Sequence, residues 1–134
     1  MNPDIAAGFL QAIGPFTLLA TAVGAFLGLI VGMIPGLTIS TGIIVLLPLT
    51  FSLDPNMSIA LLLGLYVAGM TGGSFSAILL NIPGTPSAAA TALDGYPLAQ
   101  KGEAGRALGI SISSGFFGGI ISFASLYFIA PLLA

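Results

Sequence analysis

Charged side chains are almost absent from this chain, and their scarcity constrains the fold more than any other feature. Among 134 residues, the only charged ones are Asp4, Asp54, Asp94, Lys101, Glu103 and Arg106. A water-soluble domain has about a quarter of its residues charged, whereas here 57% of the residues are apolar and the mean hydropathy is +1.15. The chain is therefore predicted to be an integral membrane protein whose surface is covered mostly by the lipid bilayer.

The same composition excludes several classes of function. Two basic residues cannot form the positive face that nucleic-acid binding requires, so no nucleic-acid partner is expected. Cysteine and histidine are absent, which excludes disulfides and zinc or copper sites. Without those residues no nucleophile and base can be paired, and the chain is predicted not to be an enzyme. No cofactor is expected either.

Four apolar stretches are long enough to be membrane helices. They cover approximately residues 16–34, 37–53, 59–80 and 107–133, each close to the ~20 residues that cross a bilayer. None alternates apolar and polar residues as a barrel strand does. The prediction is an all-α, multi-pass membrane protein, with residues 1–134 forming one transmembrane domain. No signal peptide is predicted, so the first helix itself is expected to direct membrane insertion.

Two polar segments separate these stretches at predicted membrane surfaces. In the first, Asp54 is predicted to be a helix cap and Ser58 an N-cap of the next helix. The second, residues 94–106, contains both basic residues and is predicted to be cytoplasmic by the positive-inside rule. Its start, Asp94-Gly95-Tyr96-Pro97, is predicted to be a turn, followed by a short helix start at 101–106.

Two further breaks fall inside apolar sequence and carry no charge. Both contain Ile-Pro-Gly, at 34–36 and at 82–84, and each is followed by hydroxyl residues. Proline removes a backbone donor and glycine permits unusual backbone angles, so each break should interrupt a helix or make it re-entrant. Free backbone groups are tolerated at membrane depth only where protein or a water-filled cavity surrounds them. Paired Gly/Pro interruptions of this kind indicate a transporter's binding site.

An interrupted helix presents free N–H groups that can hold a carboxylate without a basic side chain. Freed carbonyls at the same breaks can coordinate Na⁺. The predicted substrate-binding residues are Pro35, Gly36, Thr38, Ser40 and Thr41 at the first break, and Asn81, Pro83, Gly84, Thr85 and Ser87 at the second. Two other interpretations stay open, namely proline kinks without function and hydroxyls that only bond to their own helix.

Glycines recur at helical spacing in several stretches. Gly24, Gly28, Gly32 and Gly36 lie four residues apart, a pattern that favours close helix packing over a role in transport. The pair Gly115 and Gly119 repeats this spacing in the last stretch. The main alternative function follows from these faces: a non-transporting membrane scaffold or assembly subunit.

Taken in order, several stretches resemble the large membrane subunit of tripartite tricarboxylate transporters, the TctA family. They are GLIVGMIPGL (28–37), LLPL (46–49), GGS (72–74), AILLNIPGT (77–85) and TALDGYPLA (91–99). The resemblance extends from about Thr17 onward. One departure is that the family often continues the first Pro-Gly with Leu-Gly-Pro, where this chain has Leu37 followed by Thr38, Ile39 and Ser40.

The resemblance implies a secondary transporter in the bacterial cytoplasmic (inner) membrane. It would take up tricarboxylates such as citrate, or related carboxylates, driven by a gradient of a coupling ion, Na⁺ or H⁺. Its implied partners are a small membrane subunit and a periplasmic solute-binding protein. The family's large subunit is much longer than this chain, so residues 1–134 are expected to be the N-terminal part of a longer transporter subunit.

Overall fold

The structure, a computed structural model, describes residue 8 and residues 10–133, with side chains as far as residue 129. The described part is helical and contains no strand. Its helices are α1 (Pro15–Met33), α2 (Ile39–Thr50), α3 (Pro55–Leu80), α4 (Ala88–Gln100) and α5 (Ala104–Leu133). Three of them, α1, α3 and α5, are long and apolar enough to cross a membrane. The predicted all-α membrane fold is thus confirmed.

Helices α1 and α3 form the centre of the molecule and run parallel to each other. A Cβ atom added at Gly24 or Gly28 would overlap the backbone carbonyl of Leu61 or Leu65, respectively, and one at Gly32 would overlap that of Gly69. The constant offset in sequence shows that the two helices advance in the same direction. Packing of the glycine stripe is confirmed for these three positions. Gly36 does not take part, because it lies beyond α1 with φ of 91° and open space around it.

The short helix α2 connects α1 to α3 and brings the chain back to the end of the molecule where α1 begins. Its first residue, Ile39, packs over Gly69, whereas Gly42 faces Val31 and Leu65, so α2 runs antiparallel to α3. The starts of α1 and α3 consequently lie at the same end of the molecule. A hydrogen bond from Asn56 Nδ2 to Gln11 Oε1, 3.1 Å long, joins them there.

The connection into α3 differs in one respect from the prediction. Asp54 is the N-cap, as expected, and its carboxylate accepts the N–H of Asn56 at 3.0 Å. Ser58 is not an N-cap, because it lies within α3. Its hydroxyl donates a shared hydrogen bond to the carbonyls of Thr50 and Asp54, at 2.9 and 3.1 Å. This bond connects the end of α2 to the first turn of α3.

The second Pro-Gly break folds back into the molecule instead of leaving it. Asn81 ends α3 in the left-handed conformation, with φ of 57°. The chain then reverses, and Gly84 inserts where α1 meets α3: a Cβ there would overlap the carbonyl of Gly32 and lie 3.0 Å from the Cα of Gly73. The predicted re-entrant character is therefore present at this break.

The predicted turn at Asp94-Gly95-Tyr96-Pro97 is wrong, because these residues lie inside α4. Contact with α3 explains the helix. Ala88 and Ala92 form a buried cluster with Ala77 of α3, and Gly95 lies directly against Ile78. This packing outweighs the weak helix propensity of glycine and proline. Helix α5 then begins at Ala104, within the helix start predicted at 101–106, and Arg106 pairs with Glu103 at 2.9 Å.

A cavity between the two Pro-Gly breaks as candidate functional site

Residues from both Pro-Gly breaks line one cavity of about 380 Å³. Its lining residues are Thr38, Ile39, Ser40, Tyr66, Met70, Gly84, Thr85, Pro86 and Ser87. The first three come from the start of α2, the next two from the middle of α3, and the last four from the segment that leads into α4. The volume falls within the range of small-molecule sites.

The first break places the N-terminus of α2 at this cavity. Thr38 is the N-cap: its Oγ1 accepts the N–H of Thr41 at 3.3 Å and lies 2.9 Å from the Thr41 hydroxyl. Ile39 and Ser40 follow in the first turn, where a helix provides no acceptors for its own N–H groups. The cavity wall therefore carries a helix N-terminus with its partial positive charge.

The second break places another helix N-terminus at the same cavity. Ser87 is the N-cap of α4, but its side chain makes no capping bond to the helix. Its hydroxyl lies 3.1 Å from that of Thr85 instead. Thr85 itself is 6% exposed, because it packs directly on Gly73 of α3. A buried contact with the central helix thus fixes the position of this hydroxyl pair.

Five of the ten predicted binding residues line the cavity, and five do not. Those that line it are Thr38, Ser40, Gly84, Thr85 and Ser87. Thr41 contacts Thr38 but faces a separate apolar pocket beside Val45 and Leu65. The remaining four, Pro35, Gly36, Asn81 and Pro83, are exposed residues of the two breaks and do not line the cavity. Their backbone geometry turns the chain, as the φ of 91° at Gly36 illustrates.

Four lining residues were not predicted: Ile39 and Pro86 belong to the two breaks, and the other two are Tyr66 and Met70. They lie four residues apart on α3 and therefore on one face of that helix. Tyr66 supplies the only phenol hydroxyl of the lining, and Met70 supplies a flexible apolar surface. The available signal was Tyr66, a residue with a polar tip inside an apolar stretch. Its position opposite the Pro-Gly breaks depends on the return of α2, which periodicity alone does not predict.

The chemistry of this cavity suits an anion. No charged side chain lines it, so a cation or an anion would be held by dipoles and hydroxyls alone. Two helix N-termini border it and no helix C-terminus does. Both dipoles therefore favour negative charge, and backbone N–H groups and hydroxyls are suitable donors for carboxylate oxygens.

The sequence is similar to that of known proteins. Residues 18–134 match the model of a family described as "Tripartite tricarboxylate transporter TctA family". A curated relative from Agrobacterium vitis, described as "Uncharacterized 52.8 kDa protein in TAR-I ttuC' 3'region", is 41% identical over 131 residues. The aligned part is 98% of this chain and 26% of that relative, so the chain spans about a quarter of the relative's length. No solved structure matches the chain. The matched range includes every residue that lines the cavity.

Proposed function

The chain belongs to the tripartite tricarboxylate transporter TctA family, and on this premise we propose that it is part of the membrane subunit of a secondary transporter for tricarboxylates or related organic carboxylates. The cavity between the two Pro-Gly breaks is its carboxylate-binding site. Thr38, Ser40, Thr85 and Ser87 provide hydroxyl donors, and the first turn of α2 provides the N–H groups of Ile39 and Ser40. Helix α4 contributes the positive end of its dipole, because its first N–H groups donate to the carbonyls of Thr85 and Pro86. The whole transporter includes more chain than residues 1–134.

One observation carries this proposal: two breaks 48 residues apart in sequence meet at one cavity, and each brings a helix N-terminus to it. Independent proline kinks have no reason to meet in this way. A site without basic side chains also suits transport, because neutral donors hold a carboxylate less tightly than an arginine pair does and permit its release.

The remaining parts of the proposal follow from family membership. The transporter lies in the bacterial cytoplasmic membrane and works with a small membrane subunit and a periplasmic solute-binding protein. Uptake is coupled to a cation gradient, of Na⁺ or H⁺, and needs no enzymatic step. These features support one another, because a dicarboxylate or tricarboxylate moves inward against the membrane potential only if cations accompany it.

The test is uptake of radiolabelled citrate and succinate by vesicles that contain the full protein carrying this sequence, together with its partner subunits. Thr38→Val and Thr85→Val keep the side-chain shape and remove one hydroxyl each. Loss of a hydrogen bond to a charged group costs about 1.5–3 kcal/mol, so each variant should weaken apparent affinity by about 10-fold to 150-fold. Thr71→Val is the matched control, since Thr71 bonds to its own helix and lines a different groove.

Two results would contradict the proposal. Unchanged affinity in both Thr38→Val and Thr85→Val would show that the breaks are kinks and that the site lies elsewhere. Normal assembly with the partner subunits, but no gradient-dependent uptake of either carboxylate, would favour the scaffold function instead.

A further inference from the structure

One wall of the carboxylate cavity belongs to α3, and Tyr66 supplies the only hydroxyl on that wall. The other α3 residue of the lining is Met70, about one turn further along. Tyr66 lies eleven residues after the start of α3 at Pro55 and fourteen before its end at Leu80. Tyrosines of membrane proteins concentrate at the two membrane surfaces, where the phenol tip meets water. A tyrosine in the middle of a membrane-crossing helix therefore indicates a polar partner at that depth.

Two close contacts hold the other walls of the cavity against this part of α3. Ile39, at the start of α2, is 8% exposed and packs on Gly69, where a Cβ would lie 2.9 Å from its Cγ1. Thr85, in the segment before α4, packs on Gly73 in the same manner. Both glycines lie within about two helical turns of Tyr66. The three walls are thus held close together at the level of this tyrosine.

Free N–H groups in the first turn of a helix occur at the first break. The N–H of Thr41 donates to the Thr38 carbonyl at 3.0 Å, whereas those of Ile39 and Ser40 donate to no carbonyl within the described residues. The first two N–H groups of α4, in contrast, donate to carbonyls of the preceding segment at 3.0 and 3.3 Å. A carboxylate is therefore expected at the N-terminus of α2.

The hydroxyls of the lining also differ in whether they are paired. The Thr38 hydroxyl lies 2.9 Å from that of Thr41, and the Thr85 hydroxyl lies 3.1 Å from that of Ser87. Tyr66 is 49% exposed, and its hydroxyl makes no hydrogen bond within the part of the chain that the structure describes. A phenol donates one hydrogen bond and accepts another but carries no charge. It therefore matches a substrate hydroxyl better than a second carboxylate.

We propose that the cavity is selective for hydroxycarboxylates and that Tyr66 recognises the substrate hydroxyl. This inference rests on the proposed function and names the class of carboxylate that the site prefers. The N-terminus of α2 holds one carboxylate, and the substrate hydroxyl faces α3 and bonds to Tyr66. An acid without that hydroxyl covers the phenol and leaves it unpaired, which lowers affinity.

The test measures equilibrium binding of radiolabelled acids to the full protein carrying this sequence, in lipid nanodiscs. The solute-binding protein is omitted, so that the selectivity measured is that of the membrane subunit. Two pairs of acids differ only by a hydroxyl: citrate and tricarballylate, and malate and succinate. The parent should bind the hydroxy acid of each pair about tenfold more tightly. Tyr66→Phe should remove this preference by weakening the binding of citrate and malate alone.

Three variants separate recognition of the hydroxyl from a general effect on the site. Met70→Leu changes the same wall without removing a hydroxyl, and Tyr127→Phe removes a phenol hydroxyl in α5, outside the cavity. Both should keep the preference of the parent. Thr38→Val should weaken the binding of all four acids by similar factors, because Thr38 is proposed to bind the carboxylate that they share.

Equal binding of the two acids of each pair by the parent, or an unchanged preference in Tyr66→Phe, overturns the inference. If Thr38→Val still weakens the binding of all four acids, the proposed function stands and only the role of Tyr66 fails. A parent that binds none of the four acids contradicts the proposed function itself, and the inference fails with it.

Discussion

At the scale of single residues, the contact between Thr85 and Gly73 determines where the second break lies. A Cβ at Gly73 would be 2.6 Å from the Thr85 hydroxyl and 2.7 Å from its methyl group. Gly73→Ala therefore has to displace Thr85 and the chain around it. Overpacking of this kind costs about 1–3 kcal/mol, which denaturant titration of the purified protein can measure.

A second substitution separates this contact from a general loss of stability. Thr85→Ala removes the two side-chain atoms that the new methyl group would meet and leaves the backbone nitrogen of Thr85 at 3.0 Å. The double variant should therefore be more stable than the sum of the two single effects predicts. Non-additivity of about 0.5–3 kcal/mol is usual for residues in contact. Strictly additive effects would contradict the account of this pair.

At the scale of helices, the α1–α3 interface depends on backbone contact and not on side-chain packing. Gly28→Ala would drive a methyl group into the carbonyl of Leu65, and neither helix backbone can yield locally. We expect a loss of about 1–3 kcal/mol in thermal or denaturant unfolding. The control is Gly115→Ala in α5, where a Cβ meets no described atom within 4 Å.

Gly115→Ala should be neutral or slightly stabilising, because alanine favours a helix by about 1 kcal/mol over glycine. Equal effects at positions 28 and 115 would mean that helix propensity, and not interhelical contact, governs both. The comparison also bears on the scaffold function: glycines 24, 28 and 32 are already occupied by α3 of the same chain and are not free to bind a partner.

At the scale of the whole molecule, parallel α1 and α3 set the topology. The loop between α2 and α3 lies at the end where α1 begins. The loop between α4 and α5 lies at the end where α3 finishes, because Gly95 of α4 packs against Ile78 there. The chain contains no cysteine, so single-cysteine variants give unambiguous labelling. Ser52→Cys and Gln100→Cys should react with an impermeant maleimide from opposite sides of the membrane, with Gln100→Cys on the cytoplasmic side.

Labelling of both variants from the same side would contradict the parallel arrangement of α1 and α3. Reversed labelling would leave the fold intact and contradict only the positive-inside assignment, which depends on Lys101 and Arg106.

The sequence predicted some of this architecture better than the rest, for identifiable reasons. Apolar length sufficed for α1, α3 and α5, and the Pro-Gly pairs located both breaks. The sequence failed to predict α4, because Gly95 and Pro97 have low helix propensity and packing of the helix on Ile78 and Ala77 outweighs it. The choice between Thr38, which lines the cavity, and Thr41, which does not, also depends on how α2 returns across α3. The local sequence pattern does not predict this path of α2.

The central claim is that the two breaks form one carboxylate site, and protection from alkylation tests it most directly. Met70 lines the cavity but is not proposed to bind the carboxylate, and its neighbour Thr71 lines a separate groove. The experiment measures the rate of alkylation of Met70→Cys and of Thr71→Cys, each in the full protein, at increasing concentrations of citrate. Saturable slowing by citrate at position 70, with no change at position 71, is the predicted result. Equal rates with and without citrate at both positions, or equal slowing at both, would contradict the account.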